Sequence, residues 1–83
     1  MDKNNSVFCT RLRQKMPALS DAPLNGAIGQ TIQQNVSEEA WNEWVEAQIK
    51  IINEERLDLS EQPAQQRLYQ QMVAFLGLGE LLE

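Results

Sequence analysis

SEEAWNEWVEAQIKIINEERLDL, residues 37–59, is the longest helical pattern in the chain and contains both tryptophans. Apolar side chains recur in it at a helical spacing, which puts Trp41, Val45 and Ile52 on one face. Ser37 is a good N-cap residue, and the glutamates that follow it lie where the helix dipole favours negative charge. Because two indole rings are the largest apolar groups in so short a chain, we predict that this segment is the central helix of the fold.

The composition describes a small acidic protein. We expect one domain over residues 1–83, with frayed tails at 1–6 and 78–83. The net charge of −5 argues against nucleic-acid binding, since phosphate contacts require clustered Lys and Arg. No apolar run is long enough to span a membrane, and the first residues lack the apolar segment of a signal peptide. We therefore expect a cytoplasmic protein with no membrane partner.

The chain has one cysteine, Cys9, and no histidine. A single cysteine excludes an intramolecular disulfide and a zinc site made only of cysteines. Without histidine the chain cannot form a Ser-His-Asp triad, a Cys-His dyad or a 2-His-1-carboxylate iron site. Because these absences close much enzyme chemistry to the chain acting alone, we predict that the protein is not an enzyme.

Short patterns on both sides of the central helix complete the predicted fold. Val7–Leu12 is rich in β-branched and apolar residues and predicts a strand, with Ala18–Ser20 as its candidate partner. Apolar residues at intervals of four predict a helix over 27–36, although its glycine and glutamines weaken it. A third helix is predicted with Pro63 in its first turn and Gly77 as its C-cap. Its apolar face is predicted to contain Leu68, Tyr69, Met72, Phe75 and Leu76.

Four short motifs occur in order along the chain. They are Phe8-Cys9, Ser37-x-x-Ala40-Trp41-x-x-Trp44, Ile52-Asn53-Glu54 and Gln71-Met72-x-x-Phe75-Leu76. Together, in a chain of this length, they resemble the bacterial Fe(II)-trafficking family, a group of oxidative-damage protection proteins, over residues 7–78. The resemblance implies an α+β domain with three helices and a short two-stranded antiparallel sheet near the N-terminus, which agrees with the patterns above.

The resemblance also implies a function in iron handling. Members of this family are thought to handle Fe(II), to supply or protect iron for iron–sulfur cluster synthesis and repair, and to limit oxidative damage. The resemblance implies the same role for this chain. The implied partners are Fe(II), bound weakly or transiently, and iron–sulfur proteins or their assembly machinery. The family's functional thiol is its single N-terminal cysteine, which corresponds to Cys9.

Cys9 has two interpretations from the residues alone. If Val7–Leu12 is a strand, Cys9 and Arg11 lie on the same face about 6.6 Å apart, and a nearby guanidinium favours the thiolate. Cys9 is then a reactive thiol or an iron contact. Alternatively, it is a small buried hydrophobe on the inner face of the strand, as free cysteines often are. The sequence does not determine which face is inner, so both interpretations stand.

Two polar surfaces are also open to more than one interpretation. Glu39, Glu43 and Glu46 share one helical face, either as oxygen ligands for Fe(II) or as a solvated acidic surface. Asn53 and Glu54, near the end of the central helix, are a candidate partner surface or a polar pair that caps the helix end. Because the chain has no histidine and a single cysteine, any iron site would be oxygen-rich, weak and open, and the sequence does not identify its ligands.

Trp41 and Trp44 are predicted to lie in the core, with an aromatic partner-binding patch as the alternative. A thiol-dependent antioxidant enzyme would need a resolving thiol or a base, and the sequence shows neither, so two functions are preferred to it. The first is a monomeric Fe(II)-trafficking protein with Cys9 as its functional thiol. The second is a small acidic adaptor that binds another protein through its acidic or tryptophan-bearing surface and binds no metal.

Overall fold

The computed structural model describes residues 6–82, which form a two-stranded antiparallel sheet and four helices. The elements are β1 (Ser6–Phe8), β2 (Lys15–Pro17), α1 (Gly26–Asn35), α2 (Glu38–Glu55), α3 (Gln62–Leu76) and α4 (Gly79–Leu82). The predicted α+β class and short N-terminal sheet are confirmed. The helix count within the described range is four rather than three, because a final turn of four residues follows α3. No helix in this range is both long and apolar enough to cross a bilayer.

Helix α2 begins and ends close to where the sequence predicts. Ser37 is its N-cap, and the Ser37 hydroxyl accepts the backbone N–H of Ala40 at 3.1 Å. This bond satisfies one of the donors that the first turn leaves without an intrahelical partner. The helix ends at Arg56, which adopts the left-handed conformation with φ of 53° and donates its N–H to the carbonyl of Ile52.

The core-facing stripe of α2 is displaced by one position from the predicted stripe. Trp44 is only 2% exposed and Ala40 is fully buried, whereas Trp41 is half-buried and Val45 is exposed. The helix carries two apolar stripes side by side, and periodicity alone does not select between them. Packing against α3 decides, because the Trp44 ring lies against the Phe75 ring with centroids 5.6 Å apart and planes tilted by 52°.

The core is one cluster to which the segments that follow β1 and β2, the three longer helices and the segment after α3 all contribute. Its buried members are Cys9, Leu19, Ile32, Val36, Ala40, Trp44, Met72, Leu76 and Leu78. The tail predicted to fray at 78–83 is ordered where the structure describes it, because the Leu78 side chain is fully buried and α4 follows. At the other end, Ser6 pairs within the sheet. The rest of both predicted tails lies outside the described residues.

The first strand is shorter than predicted. The sequence predicted Val7–Leu12, but β1 ends at Phe8 and the chain turns immediately afterwards. The turn is closed by a hydrogen bond of 2.8 Å from the N–H of Arg13 to the carbonyl of Cys9, and Arg13 itself has a positive φ of 59°. The sequence has no glycine or Asn-Gly step at this turn, so the prediction that the strand continues after Phe8 is wrong.

The partner strand also differs from the prediction. β2 is Lys15–Pro17, whereas the sequence predicted Ala18–Ser20. The earlier position follows from the early turn, since β2 begins as soon as the chain has reversed. Ala18 instead forms an isolated antiparallel bridge with Ser37, which fastens the hairpin to the start of α2.

Helix α1 confirms the helix predicted over 27–36, and its glycine has a packing role. Gly29 is buried, and a Cβ atom at this position would overlap the backbone carbonyl oxygen of Leu24. The close approach of the preceding turn to α1 therefore requires a residue without a side chain. The glycine that weakens the isolated helix is the residue that allows the helix to dock.

Helix α3 ends where the sequence predicts and begins close to the predicted start, but its N-cap is Glu61 rather than the predicted Ser60 or Gln62. Pro63 lies in its first turn, and Gly77 ends it in the left-handed conformation with φ of 72°. Within the predicted apolar face, Met72 and Leu76 are buried, but Tyr69 is 45% exposed and is not a core residue. Leu68 and Phe75, also predicted for this face, pack partly buried against the core.

Candidate functional site

Cys9 lies where β1 ends and the chain turns, and its side chain has no exposed area. Its Sγ accepts two backbone N–H groups, from Leu12 at 3.4 Å and from Ser37 at 3.5 Å. Phe8 before it is exposed, so the inner face of the hairpin is the one that carries Cys9. The thiol therefore lies between its own turn and the first residue of the α2 cap.

The surroundings of Cys9 act on its ionisation in opposite directions. Burial is the largest single influence and raises the pKa of the thiol. Hydrogen bonds from the Ser37 hydroxyl and from the backbone N–H groups of Ser37, Leu12 and Arg11 together outweigh burial, so the pKa of Cys9 lies below its ordinary value of 9.0. The predicted pairing of the thiol with the Arg11 guanidinium is wrong, because Arg11 lies in a turn and reaches the sulfur only through its backbone.

The turn of residues 9–13, called here the Cys9 loop, is held down by polar contacts to α2 and α3. The Arg11 guanidinium lies 3.7 Å from the centre of the Phe75 ring. Its Nε donates to the Glu43 carboxylate at 2.8 Å, and its Nη1 donates to the Phe75 carbonyl at 3.0 Å. The Thr10 hydroxyl donates to the Leu76 carbonyl at 2.6 Å. Arg11 thus lies at the C-terminal end of α3, where the helix dipole favours a cation.

The predicted carboxylate face is present on α2. It borders an open concavity of about 460 Å³ lined by Pro17, Glu38, Glu39, Asn42, Glu43 and Glu46. Glu43 is already engaged by Arg11. Among residues 6–82, no group of three or more His, Cys, Asp and Glu side chains is arranged to hold a metal ion together. The face therefore offers separate carboxylates, the hard oxygen donors that suit a divalent cation.

Asn53 and Glu54 are both exposed and lie in the last turns of α2. The helix rises about 1.5 Å per residue, so Asn53 is roughly 24 Å along the axis from the cap at Ser37. The structure therefore does not bring this pair together with Cys9. The residues predicted from the sequence therefore form three groups: the Cys9 thiol, the acidic face of α2, and the Asn53–Glu54 surface at the far end of α2.

Sequence reasoning missed two contributors to the site. Ser37 was recognised as a helix cap, but its second contact, with the Cys9 sulfur 28 positions away, has no local signal. Thr10 was assigned to a strand, whereas its N–H donates to the Asn35 carbonyl at 2.9 Å and its hydroxyl to α3. All three contacts join the turn after β1 to a helix end that is distant in sequence, so they form only in the folded chain.

An apolar groove of about 250 Å³ lies between α2 and α3, apart from the thiol. Its lining is Leu24, Trp41, Trp44, Gln48, Gln65, Leu68, Tyr69 and Met72. Trp44 lines this groove although it is buried in the core, whereas Trp41 is half-buried and partly open to solvent. The prediction of two core tryptophans is therefore correct for Trp44, and Trp41 contributes to both the core and a surface.

Ser37→Ala is expected to weaken the α2 cap and to raise the pKa of Cys9. Removing the hydroxyl leaves the Ala40 N–H without its capping partner, which costs roughly 1 kcal/mol in the free energy of unfolding. It also removes a hydrogen bond that favours the thiolate, so the ultraviolet absorbance of the thiolate should titrate at higher pH. The matched control is Ser60→Ala, since the Ser60 hydroxyl bonds the exposed Asp58 and should leave the Cys9 titration unchanged.

The stability difference between wild type and Ser37→Ala should also depend on pH, with a defined sign. Because the folded pKa of Cys9 lies below the unfolded value, the unfolded state binds more protons between the two values and stability rises with pH there. The contribution of Cys9 ionisation to the free energy of unfolding is therefore complete above about pH 9.0, and it is lost as the pH falls through the pKa of Cys9 in the folded state. Urea denaturation at several pH values should show the difference growing with pH. A stability difference that does not change with pH would contradict the conclusion that the Ser37 hydroxyl lowers the pKa of Cys9.

Comparison with known proteins gives one consistent result. Residues 3–81 match a family model described as bacterial Fe(2+) trafficking. The chain is 45% identical over 73 residues to a protein of Marinomonas sp. strain MWYL1, an alignment that covers 88% of this chain and 78% of the relative. It is 44% identical over 77 residues to a Chromohalobacter salexigens protein, covering 93% and 86% of the two chains. A relative from Acinetobacter baumannii is 39% identical over 80 residues, covering 96% and 90%. All three relatives are named probable Fe(2+)-trafficking proteins.

Proposed function

Because the chain belongs to the bacterial Fe(2+)-trafficking family, we propose that it carries Fe(II) transiently and delivers or protects it for iron–sulfur cluster synthesis and repair. In doing so it keeps Fe(II) from driving oxidative damage. The observation that carries this proposal is the family match over residues 3–81, which takes in Cys9 and the three longer helices. The proposal assigns the protein no catalytic step.

We assign the functional thiol to Cys9. The hydrogen bonds that lower its pKa support this assignment, because the thiolate is the form that ligates metal and reacts with oxidants. Glu39 and Glu46 on α2 add carboxylate oxygens on the neighbouring face. Such separate hard donors suit an ion that binds weakly and leaves again.

The proposed partners are Fe(II) and iron–sulfur proteins or their assembly machinery. The exposed pair Asn53 and Glu54 is the proposed contact surface for the protein partner. We propose a monomer in the cytoplasm, where a lone thiol stays reduced. Neither nucleic acid nor a membrane is among the proposed partners, and the net charge of −5 disfavours phosphate backbones.

An anaerobic NMR titration with Fe(II) tests direct carriage. We expect paramagnetic broadening confined to amide signals of the Cys9 loop and the first half of α2. Cys9→Ser is expected to reduce this broadening, because a hydroxyl replaces the thiolate ligand. A Glu39→Gln, Glu46→Gln double variant is expected to reduce it as well, because amides are weaker ligands than carboxylates for a divalent cation.

The matched control for the carboxylates is Glu61→Gln, which removes one exposed carboxylate before α3. It should leave the broadening unchanged. Broadening that persists in Cys9→Ser and disappears in the glutamate variant would move the ligands to α2 and leave Cys9 a redox or structural role. An absence of site-specific broadening would count against direct carriage.

A second function, an acidic adaptor that binds a protein and no metal, is favoured by the apolar groove between α2 and α3. Leu24 and Tyr69 line this groove and are both exposed. Aromatic side chains in such positions are typical anchors of protein interfaces. An Fe(II) titration without specific broadening would support this second function over the first.

A further inference from the structure

The Cys9 thiol is closed off in the folded protein. Its side chain has no exposed area, and its Sγ is occupied by N–H groups from Leu12 of its own loop and from Ser37 of the α2 cap. A thiol that meets a metal ion or an oxidant must be accessible to it. Some part of the structure has to move before Cys9 can react, and the Cys9 loop is the segment that carries Cys9 and contacts its sulfur.

Polar contacts at three sites hold the loop closed. Thr10 donates its N–H to the Asn35 carbonyl at the end of α1 and its hydroxyl to the Leu76 carbonyl at the end of α3. Arg11 donates to the Glu43 carboxylate on α2, and it lies over the Phe75 ring while donating to the Phe75 carbonyl. One side chain, Arg11, therefore joins the loop to two helices at once.

These contacts are of a kind that opens before the core does. The side chains of Arg11 and Glu43 are 32% and 40% exposed, so water competes for both charges. Exposed ion pairs and single hydrogen bonds contribute little net stability, because the open state regains their hydration. The core beneath is held by buried apolar side chains such as Trp44, Leu76 and Leu78. Apart from Cys9 itself, the loop contributes one apolar side chain to this core, the partly buried Leu12. Local opening of a segment with so few apolar contacts is expected at lower free energy than global unfolding.

We propose that the Cys9 loop is a gate with Arg11 as its latch, and that Cys9 reacts only after Arg11 leaves Glu43 and Phe75 and the loop lifts from the helix ends. This rests on the proposed role of Cys9 as the functional thiol. The same movement releases the Glu43 carboxylate from Arg11. Opening therefore presents a thiol and a carboxylate together, the two ligand types that the proposed function uses.

The rate at which iodoacetamide alkylates Cys9 under native conditions tests the latch. In this reaction the thiolate sulfur displaces iodide, so the rate reports the fraction of molecules in which the sulfur is reachable. Arg11→Ala is expected to raise the rate at least about tenfold, because it removes the ion pair, the ring contact and the carbonyl hydrogen bond together. It keeps the backbone N–H that acts on the pKa of Cys9. Glu43→Gln removes one contact and is expected to raise the rate by a smaller factor.

The matched control is Arg67→Ala. Arg67 of α3 forms an Arg–Glu pair with Glu55 of α2, with Nε and Nη2 each 2.8 Å from the Glu55 carboxylate and with exposure similar to that of the Arg11–Glu43 pair, 46% and 37%. Its removal should leave the alkylation rate unchanged. If Arg67→Ala accelerates the reaction as much as Arg11→Ala, or if Arg11→Ala reacts at the wild-type rate, the latch is refuted. Glu43→Gln carries the test if Arg11→Ala does not fold.

Low concentrations of urea separate a local gate from global unfolding. A loop that lifts exposes little surface, so the alkylation rate should rise only weakly with urea. A rate that rises with the full slope of equilibrium unfolding would overturn the gate, because Cys9 would then react only from the unfolded chain. The alkylation measurements use no iron, so a result that refutes the gate can be distinguished from an Fe(II) titration that refutes direct carriage.

Discussion

Trp44→Ala is expected to remove roughly 3–5 kcal/mol of the free energy of unfolding, the range found when a buried aromatic is truncated in a core. Trp44 is 2% exposed and packs against the Phe75 ring of α3. A domain of this length has a total stability of roughly 4–12 kcal/mol, so the expected loss removes a large share of it. Urea denaturation followed by far-ultraviolet circular dichroism measures the loss without depending on tryptophan fluorescence.

The matched control is Trp41→Ala, which truncates the same kind of side chain three positions earlier in α2, beside the groove. Trp41 is half-buried, so less apolar area is lost and the remaining space is open to water. Its loss should be clearly smaller. Equal losses for the two variants would mean that Trp44 is not the residue on which α2 and α3 pack. Trp44→Phe keeps most of the buried area and provides a folded variant for comparison.

Gly29→Ala is expected to destabilise the protein by about 2–3 kcal/mol, although alanine is the better helix former. In a helix with free space the exchange would add about 0.5–1 kcal/mol of stability. Here the new Cβ would overlap the carbonyl oxygen of Leu24, so the turn before α1 has to move. Because the obstacle is backbone rather than a flexible side chain, relaxation cannot be local. Urea denaturation of both proteins measures the difference.

Gly79→Ala in α4 is the matched control, because a Cβ at Gly79 meets nothing within 4 Å. It should change stability by no more than about 0.5 kcal/mol. A stabilised or neutral Gly29→Ala variant would show that helix propensity, not the approach of Leu24, governs this position.

The structure combines the two interpretations that the sequence left open for Cys9. The residue is buried in the core cluster, as an inert cysteine would be. Its sulfur nevertheless accepts the N–H of Ser37 at the N-terminus of α2, which is the environment that lowers a thiol pKa. A thiol with a lowered pKa but no access is consistent with one that is protected until its loop opens. This is why the latch and the Ser37 hydroxyl are the informative positions to vary.

Signals confined to neighbouring residues predicted the ends of the helices well. The cap at Ser37, the proline in the first turn of α3 and the left-handed Gly77 all involve groups within a few positions of each other. The hairpin was predicted less well for the same reason. Its turn relies on Arg13 in a left-handed conformation, which arginine rarely adopts and no sequence pattern indicates.

The amino-acid order alone is sufficient for the α+β class, the N-cap of α2, the C-cap of α3, the single thiol without disulfide or histidine, and the motifs of the Fe(2+)-trafficking family. Tertiary packing selects which apolar stripe of α2 faces inward and buries Cys9 beneath its loop. It also pairs Arg11 with Glu43 and Phe75, 32 and 64 positions away, rather than with Cys9. Helical period and turn chemistry act over a few residues, whereas these contacts exist only once α2 and α3 have packed together.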